Sequence, residues 1–91
     1  MLNVEYTTRF KRDLKLAKKR NKDIESLQNI MKKIEHEEKL DPQLKDHNLL
    51  GKWNEHRELH IEPDWLLIYK ILTNKNVVIF VRTGTHSDLF D

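Results

Sequence analysis

The sequence predicts an α+β domain, in which an N-terminal strand and a helical hairpin pack on an antiparallel sheet that ends in a three-strand meander. Three observations predict it. Apolar residues recur at helical spacing from Phe10 to Ile34, and from Trp53 to Ile61 they alternate with polar ones. They then run almost unbroken through "WLLIYKIL" and "VVIFVRT". Turn-forming residues at Asn21, Asp41-Pro42, Gly51, Glu62-Pro63-Asp64 and "TNKN" separate these stretches. No segment repeats, and 91 residues make one domain over 1–91.

"LNVEY", residues 2–6, alternates apolar and polar and reads as the first strand. Thr7 or Thr8 is the N-cap of a helix reaching about Arg20, with Phe10, Leu14 and Ala17 as its buried stripe. Asn21 can end this helix and cap the next. Ile24, Leu27, Ile30, Met31 and Ile34 mark the apolar face of that second helix, which reaches about Glu38. Asp41-Pro42 opens a loop that closes at Gly51. Trp53, Leu59 and Ile61 then share one face of a strand, and His56, Glu58 and His60 share the other. Residues 65–72 form a central strand and residues 77–83 the last one, followed by "HSDLF" as a short tail.

Composition narrows the function. Hydrophobic residues make up 37% and charged residues 35%, a small core beneath a densely charged surface. No apolar run approaches the length of a membrane span, and the N-terminus lacks a secretory signal, so the cytoplasm is the expected location. Without cysteine, neither a disulfide framework nor a thiolate zinc site can form. The net charge of +2 is unevenly spread: residues 1–33 carry ten Lys/Arg against four Asp/Glu. Lys11, Lys15, Lys18 and Lys22 follow helical spacing and make a ridge suited to a polyanion. A solvated helix face has the same pattern.

The meander brings the end of its first strand, the start of its second and the end of its third to one rim. His60, Asp64, Trp65, Arg82 and His86 therefore gather there. Two imidazoles near neutrality can accept and donate protons in one reaction. Asp64 can orient an imidazole, and Arg82 can neutralise charge building on a phosphoryl group. On RNA such a set needs neither metal nor cofactor, because the neighbouring 2′-hydroxyl is the nucleophile. Each residue also has a structural explanation. Asp64 after Pro63 is ordinary turn chemistry, His60 can be a polar residue on an open strand face, and Arg82 can sit in an ion pair. Trp53 and Trp65 can be packing residues, and Phe90 an apolar plug. No compact metal-ligand spacing is present; His56 and His60 on a strand stand about 13 Å apart.

Three ordered segments, "KDHNLLGKW", "HIEPDWLLIYK" and "RTGTHSDLF", together with "VEYTTRFKRDLKLAKKRNKD", resemble YafQ-type toxins of the RelE/ParE superfamily of bacterial type II toxin–antitoxin systems. The likeness runs nearly end to end and is strongest from Lys45 to Phe90. It implies a ribosome-dependent endoribonuclease that cuts mRNA in the decoding site. Carried across by position, the resemblance places active-site residues at His47, His60, Asp64, Trp65, Arg82, His86 and Phe90. His86 would protonate the leaving 5′-oxygen, and His60, with Asp64 and His47, would handle the 2′-hydroxyl proton and local charge. The division between His47 and His60 stays open, and His47 rests on the resemblance alone. Trp65 and Phe90 would contact bases, and the lysine ridge would dock on ribosomal RNA. The family further implies a cognate antitoxin of ribbon–helix–helix type, through which operator DNA is bound. Two rival readings remain: a gyrase-inhibiting ParE-type toxin, which would lack the histidine-rich rim, and a non-catalytic RNA-binding or adaptor module, in which rim substitutions would be harmless.

Overall fold

The computed structural model describes residues 1–90. Its regular elements are β1 (Asn3–Tyr6), α1 (Thr8–Lys19), α2 (Ile24–Glu35), β2 (His47–Asn48), β3 (Arg57–Glu62), β4 (Trp65–Leu72), β5 (Val77–Gly84) and α3 (His86–Phe90). All five strands join one sheet in the order β1-β5-β4-β3-β2. The β3-β4-β5 meander is antiparallel as expected, while β1 adds to β5 in parallel, from Asn3 opposite Val77 to Tyr6 opposite Phe80. Alternation carries no strand direction. No tight turn joins β1 to β5, so nothing local forces them antiparallel.

Thr7 caps α1, its hydroxyl accepting the Phe10 N–H at 2.9 Å and donating to the Val81 carbonyl at 2.7 Å. Asn21 ends the helix in the left-handed region at φ 59°, which Asn tolerates. It does not cap α2. That role falls to Asp23, whose carboxylate accepts the Ser26 N–H at 3.1 Å and suits the positive end of the helix. The apolar stripes of α1 and α2 cover one face of the sheet. Phe10, Ala17, Leu27 and Ile34 meet Leu59, Trp65, Leu67, Tyr69, Val78 and Phe80 there. On the opposite face Leu66 and Ile68 pack with Leu89 of α3. β4 is thus buried on both sides, which is why its sequence reads as one apolar run.

Three local features differ from expectation. Trp53 does not lie on the strand with Leu59 and Ile61. It closes a single 3₁₀ turn, Gly51–Trp53, entered by Gly51 at φ 68°. The Asn54 N–H to the Gly51 carbonyl and the His56 N–H to the Trp53 carbonyl tighten this turn, and β3 begins only at Arg57. Trp53 consequently packs on the Leu66–Ile68 face, opposite Leu59. Within the expected loop, the two residues of β2 pair His47 with Glu58 and Asn48 with Arg57; so short a strand shows no periodicity. Finally, the C-terminal "HSDLF" is a helix. Thr85 and Asp88 cap it reciprocally, the Asp88 N–H reaching the Thr85 hydroxyl and the Thr85 N–H the Asp88 carboxylate, each at 3.0 Å.

Candidate active site

β3, the β3–β4 turn, α3 and β2 deliver four groups to one rim. His60 comes from the end of β3 and His86 from the first position of α3, with ring centroids 5.8 Å apart in an edge-on arrangement. β2 adds His47, whose ring lies 6.4 Å from that of His60. Asp64, in the turn, accepts two hydrogen bonds on one oxygen: the His86 backbone N–H at 2.9 Å and its Nδ1–H at 2.6 Å. These two bonds hold the Asp64 carboxyl below its ordinary value. An ionised carboxylate only accepts, so Nδ1 of His86 carries the proton and Nε2 is left for the cleft. His47 is fixed in the same sense, because its Nδ1 donates to the Lys45 carbonyl at 2.6 Å.

One acidic member of the site was not singled out by sequence reasoning. Glu58 is 5% exposed, and its Oε1 lies 3.4 Å from Nε2 of His60 and 3.7 Å from Nε2 of His47. Both imidazoles stand within ion-pair distance of this carboxylate, and each becomes its charge partner when protonated. Period-two alternation already put Glu58 on the face of His60; only β2 reveals that His47 stands over both. Glu58, His60 and His86 each offer a ligand atom, all within 4.8 Å of one another. A carboxylate and two imidazoles are suitable donors for a first-row metal ion.

Other expected site residues sit differently. Arg82 donates from Nε to Asp13 at 2.7 Å and from Nη2 at 3.2 Å, and both side chains are nearly buried. Beyond Tyr6, among the described residues, no strand covers this edge of β5, so α1 covers it, and Asp13 also takes the Thr83 N–H. Arg82 is therefore at the rim's back, tied to α1. Trp65 corrects the expectation of a base-stacking platform: it is 1% exposed, inside the core, and has no free face for a base. Its place on the sheet follows the parity of Leu67 and Tyr69, which faces the helices. Lys22 also departs from the expected ridge. It lies past the end of α1, with Nζ 5.8 Å above the Trp65 ring and 3.3 Å from Glu62. Lys11, Lys15 and Lys18 are exposed on α1 as expected. Phe90, 43% exposed, stands beside His86 with ring centroids 6.4 Å apart.

Residues 2–91 match the model for YafQ, the bacterial toxin of type II toxin–antitoxin systems. The chain belongs to the YafQ toxin family. The mRNA interferase toxin YafQ of Escherichia coli K12 is 46% identical over 89 residues, 97% of this chain and 95% of that protein. The crystal structure of YafQ from E. coli BL21(DE3) superposes with a TM-score of 0.93 at 39% identity, covering all of both chains. YafQ in the E. coli DinJ–YafQ complex gives 0.90 at 41% identity, again with full coverage. A metal-bound toxin from Helicobacter pylori gives 0.93 at 39% identity, covering 99% of this chain and all of that one. The β1-to-α3 arrangement described above is therefore the YafQ fold, and the histidine rim stands on it.

α3, which carries His86, is fastened by a charge pair. Arg20 donates from Nη1 to Asp88 at 2.7 Å and from Nη2 at 3.4 Å. The Arg20 hydrogen bond, joined by the Thr85 N–H, pulls the Asp88 carboxyl down to about 2 from its ordinary value of 3.8. A depressed carboxyl stabilises the folded state above its unfolded value, and that contribution is lost as pH falls through the folded one. Asp88→Asn is expected to be less stable than the wild type at pH 5, with the gap closing between about pH 4 and pH 2. Unfolding midpoints measured across that range check it; a gap that persists unchanged at pH 2 removes the ion pair as the cause.

Proposed function

We propose that this chain is an mRNA interferase, a ribosome-dependent endoribonuclease of the cytoplasm. It cuts mRNA in the decoding site by metal-independent acid–base transfer. The observation that carries this reading is the pairing at the rim: His86, oriented by Asp64 at 2.6 Å, faces His60, backed by the buried carboxylate of Glu58 at 3.4 Å. One imidazole has its proton position fixed by a carboxylate, and the other stands beside a proton acceptor. In this reading His60, with Glu58 and His47, takes the proton of the 2′-hydroxyl as it attacks the adjacent phosphorus. The P–O5′ bond breaks, and His86 delivers a proton from Nε2 to the departing 5′-oxygen. The products are a 2′,3′-cyclic phosphate and a free 5′-hydroxyl. Arg82 is held by Asp13 in a nearly buried ion pair, so in this reading it ties α1 to β5 behind the rim rather than contacting the phosphate.

The nucleophile belongs to the substrate, so no metal is needed to make one. A metal held by Glu58, His60 and His86 would occupy the atoms that move protons, although it would supply Lewis-acid charge there. The exposed lysines of α1 support docking on ribosomal RNA, since counterion release needs charge and not sequence. The E. coli relative in complex with DinJ supports a cognate antitoxin for this chain, and we assign it to the ribbon–helix–helix type. Operator DNA would then be bound through that antitoxin.

Mapping of mRNA 5′-ends in a purified translation system tests this reading. Codon-phased cuts are expected only when ribosomes are present, and a chelator specific for transition metals should leave them unchanged. Cuts in ribosome-free RNA of equal intensity would remove the ribosome from the mechanism. Abolition by the chelator would remove the acid–base assignment. Growth arrest without any cuts would favour gyrase inhibition or simple RNA binding.

A further inference from the structure

Aromatic rings form one file across the rim, and its second half is not used by the proton transfers. From His47 the ring centroids step 6.4 Å to His60, 5.8 Å to His86, 6.4 Å to Phe90, 6.2 Å to Trp53 and 5.4 Å to His56. Up to His86 the rings are imidazoles able to move protons. Beyond it come two apolar rings, Phe90 at 43% exposure and Trp53 half-buried.

Both apolar rings are held in advance of any ligand. Phe90 lies four residues after His86 on α3, so the two side chains share one helix face. Trp53 packs against the Leu66, Ile68 and Leu89 cluster and meets Phe90 nearly perpendicular, at 79°. A fixed corner of two rings presents a face and an edge to a planar guest, and its ordering cost is already met by packing.

The order of the file also assigns the direction of the RNA. If His86 protonates the 5′-oxygen, the nucleotide carrying that oxygen lies on the His86 side. The nucleotide bearing the attacking 2′-hydroxyl then lies toward His60 and His47. The next rings past His86 therefore meet the base on the 3′ side of the scissile phosphate.

We propose that Phe90 and Trp53 form the subsite for the nucleobase immediately 3′ of the cut, and that Trp53 determines how that base is held. The proposal rests on the nuclease reading above and deepens it. It also replaces the buried Trp65 with a tryptophan that has a surface.

The test uses ribosomes programmed with mRNAs carrying an abasic nucleotide either immediately 3′ or immediately 5′ of the mapped cut. For the wild type, loss of the 3′ base is expected to slow cleavage about 5- to 150-fold, the usual range for one stacked base. Trp53→Leu, which keeps apolar contact with the Leu66 cluster, should cut the intact message about as slowly as the wild type cuts the 3′-abasic one. It should show little further loss on the 3′-abasic message. Trp53→Phe should recover most of the rate. Loss of the 5′ base should affect the wild type and Trp53→Leu alike. The wild-type measurement alone is decisive if the 3′ base proves dispensable, since the subsite then does not exist. A Trp53→Leu protein that unfolds like the wild type yet keeps the full 3′-abasic penalty overturns the role of Trp53 and leaves the ring as packing or a protein-facing surface. A wild type that cuts neither intact nor abasic message overturns the nuclease reading itself, and the subsite with it.

Discussion

His86→Ala is expected to lower mRNA cleavage by about 10²- to 10⁴-fold, the usual contribution of one general acid. Its fold should survive, because the side chain is 52% exposed and its main partner is the 65%-exposed Asp64. Loss of an exposed pair of this kind has little effect on stability, because water screens it. Single-turnover cleavage on programmed ribosomes, paired with thermal unfolding of the same preparation, separates the two effects. Near-full cleavage by a folded His86→Ala protein would take the imidazole out of the reaction. The short helix α3 does not need the His86 ring, since Thr85, Asp88 and Arg20 hold it independently.

Trp65→Ala should do the opposite: a large loss of stability, with cleavage lost only as the fold is lost. Trp65 is 1% exposed among the side chains that join the helices to the sheet. Emptying a site of that size typically costs about 3–5 kcal/mol. A small domain has about 5–15 kcal/mol in all, so the change is a severe fraction of it. Urea unfolding monitored by far-UV circular dichroism measures the loss, and cleavage assayed under stabilising conditions should stay close to that of the wild type. A Trp65→Ala protein as stable as the wild type but inactive would place the ring in contact with RNA after all. The predictions for the two tryptophans thus diverge: Trp65 through stability, Trp53 through the base 3′ of the cut.

The residues that made the site legible in the sequence were those tied to regular elements. Alternation fixed the face of His60 and Glu58, the turn residues fixed the β3–β4 corner, and a meander can only return the end of its last strand to that corner. Hence His60, Asp64 and His86 converge as the pattern predicts. His47 was not derivable this way. Its position depends on two residues of β2 pairing with β3, and a strand so short has no pattern to read. Arg82 lay on a well-predicted strand, yet its partner is Asp13, 69 residues away on α1. Ion-pair choice across such a distance depends on how the helix covers the sheet edge.

The two tryptophans show the same division. The sequence placed Trp65 at the rim, at the start of β4, and Trp53 on a strand face with Leu59 and Ile61, from which the structure moves it into the turn before β3. Only the tertiary structure decided which of them was free. A one-residue difference in strand parity moves a side chain from one face of a sheet to the other. Trp65 shares parity with Leu67 and is sealed beneath the helices. Trp53 escapes parity altogether, because Gly51 at φ 68° takes the chain out of extended conformation just before it. By itself, then, the sequence determined the two long helices and the meander strands, the corner at which they meet, and three of the groups brought there, His60, Asp64 and His86. Long-range packing decided which face each ring presents, which carboxylate stands behind each imidazole, and where the arginine spends its charge. Those are properties of neighbours distant in the chain, and local periodicity cannot carry them.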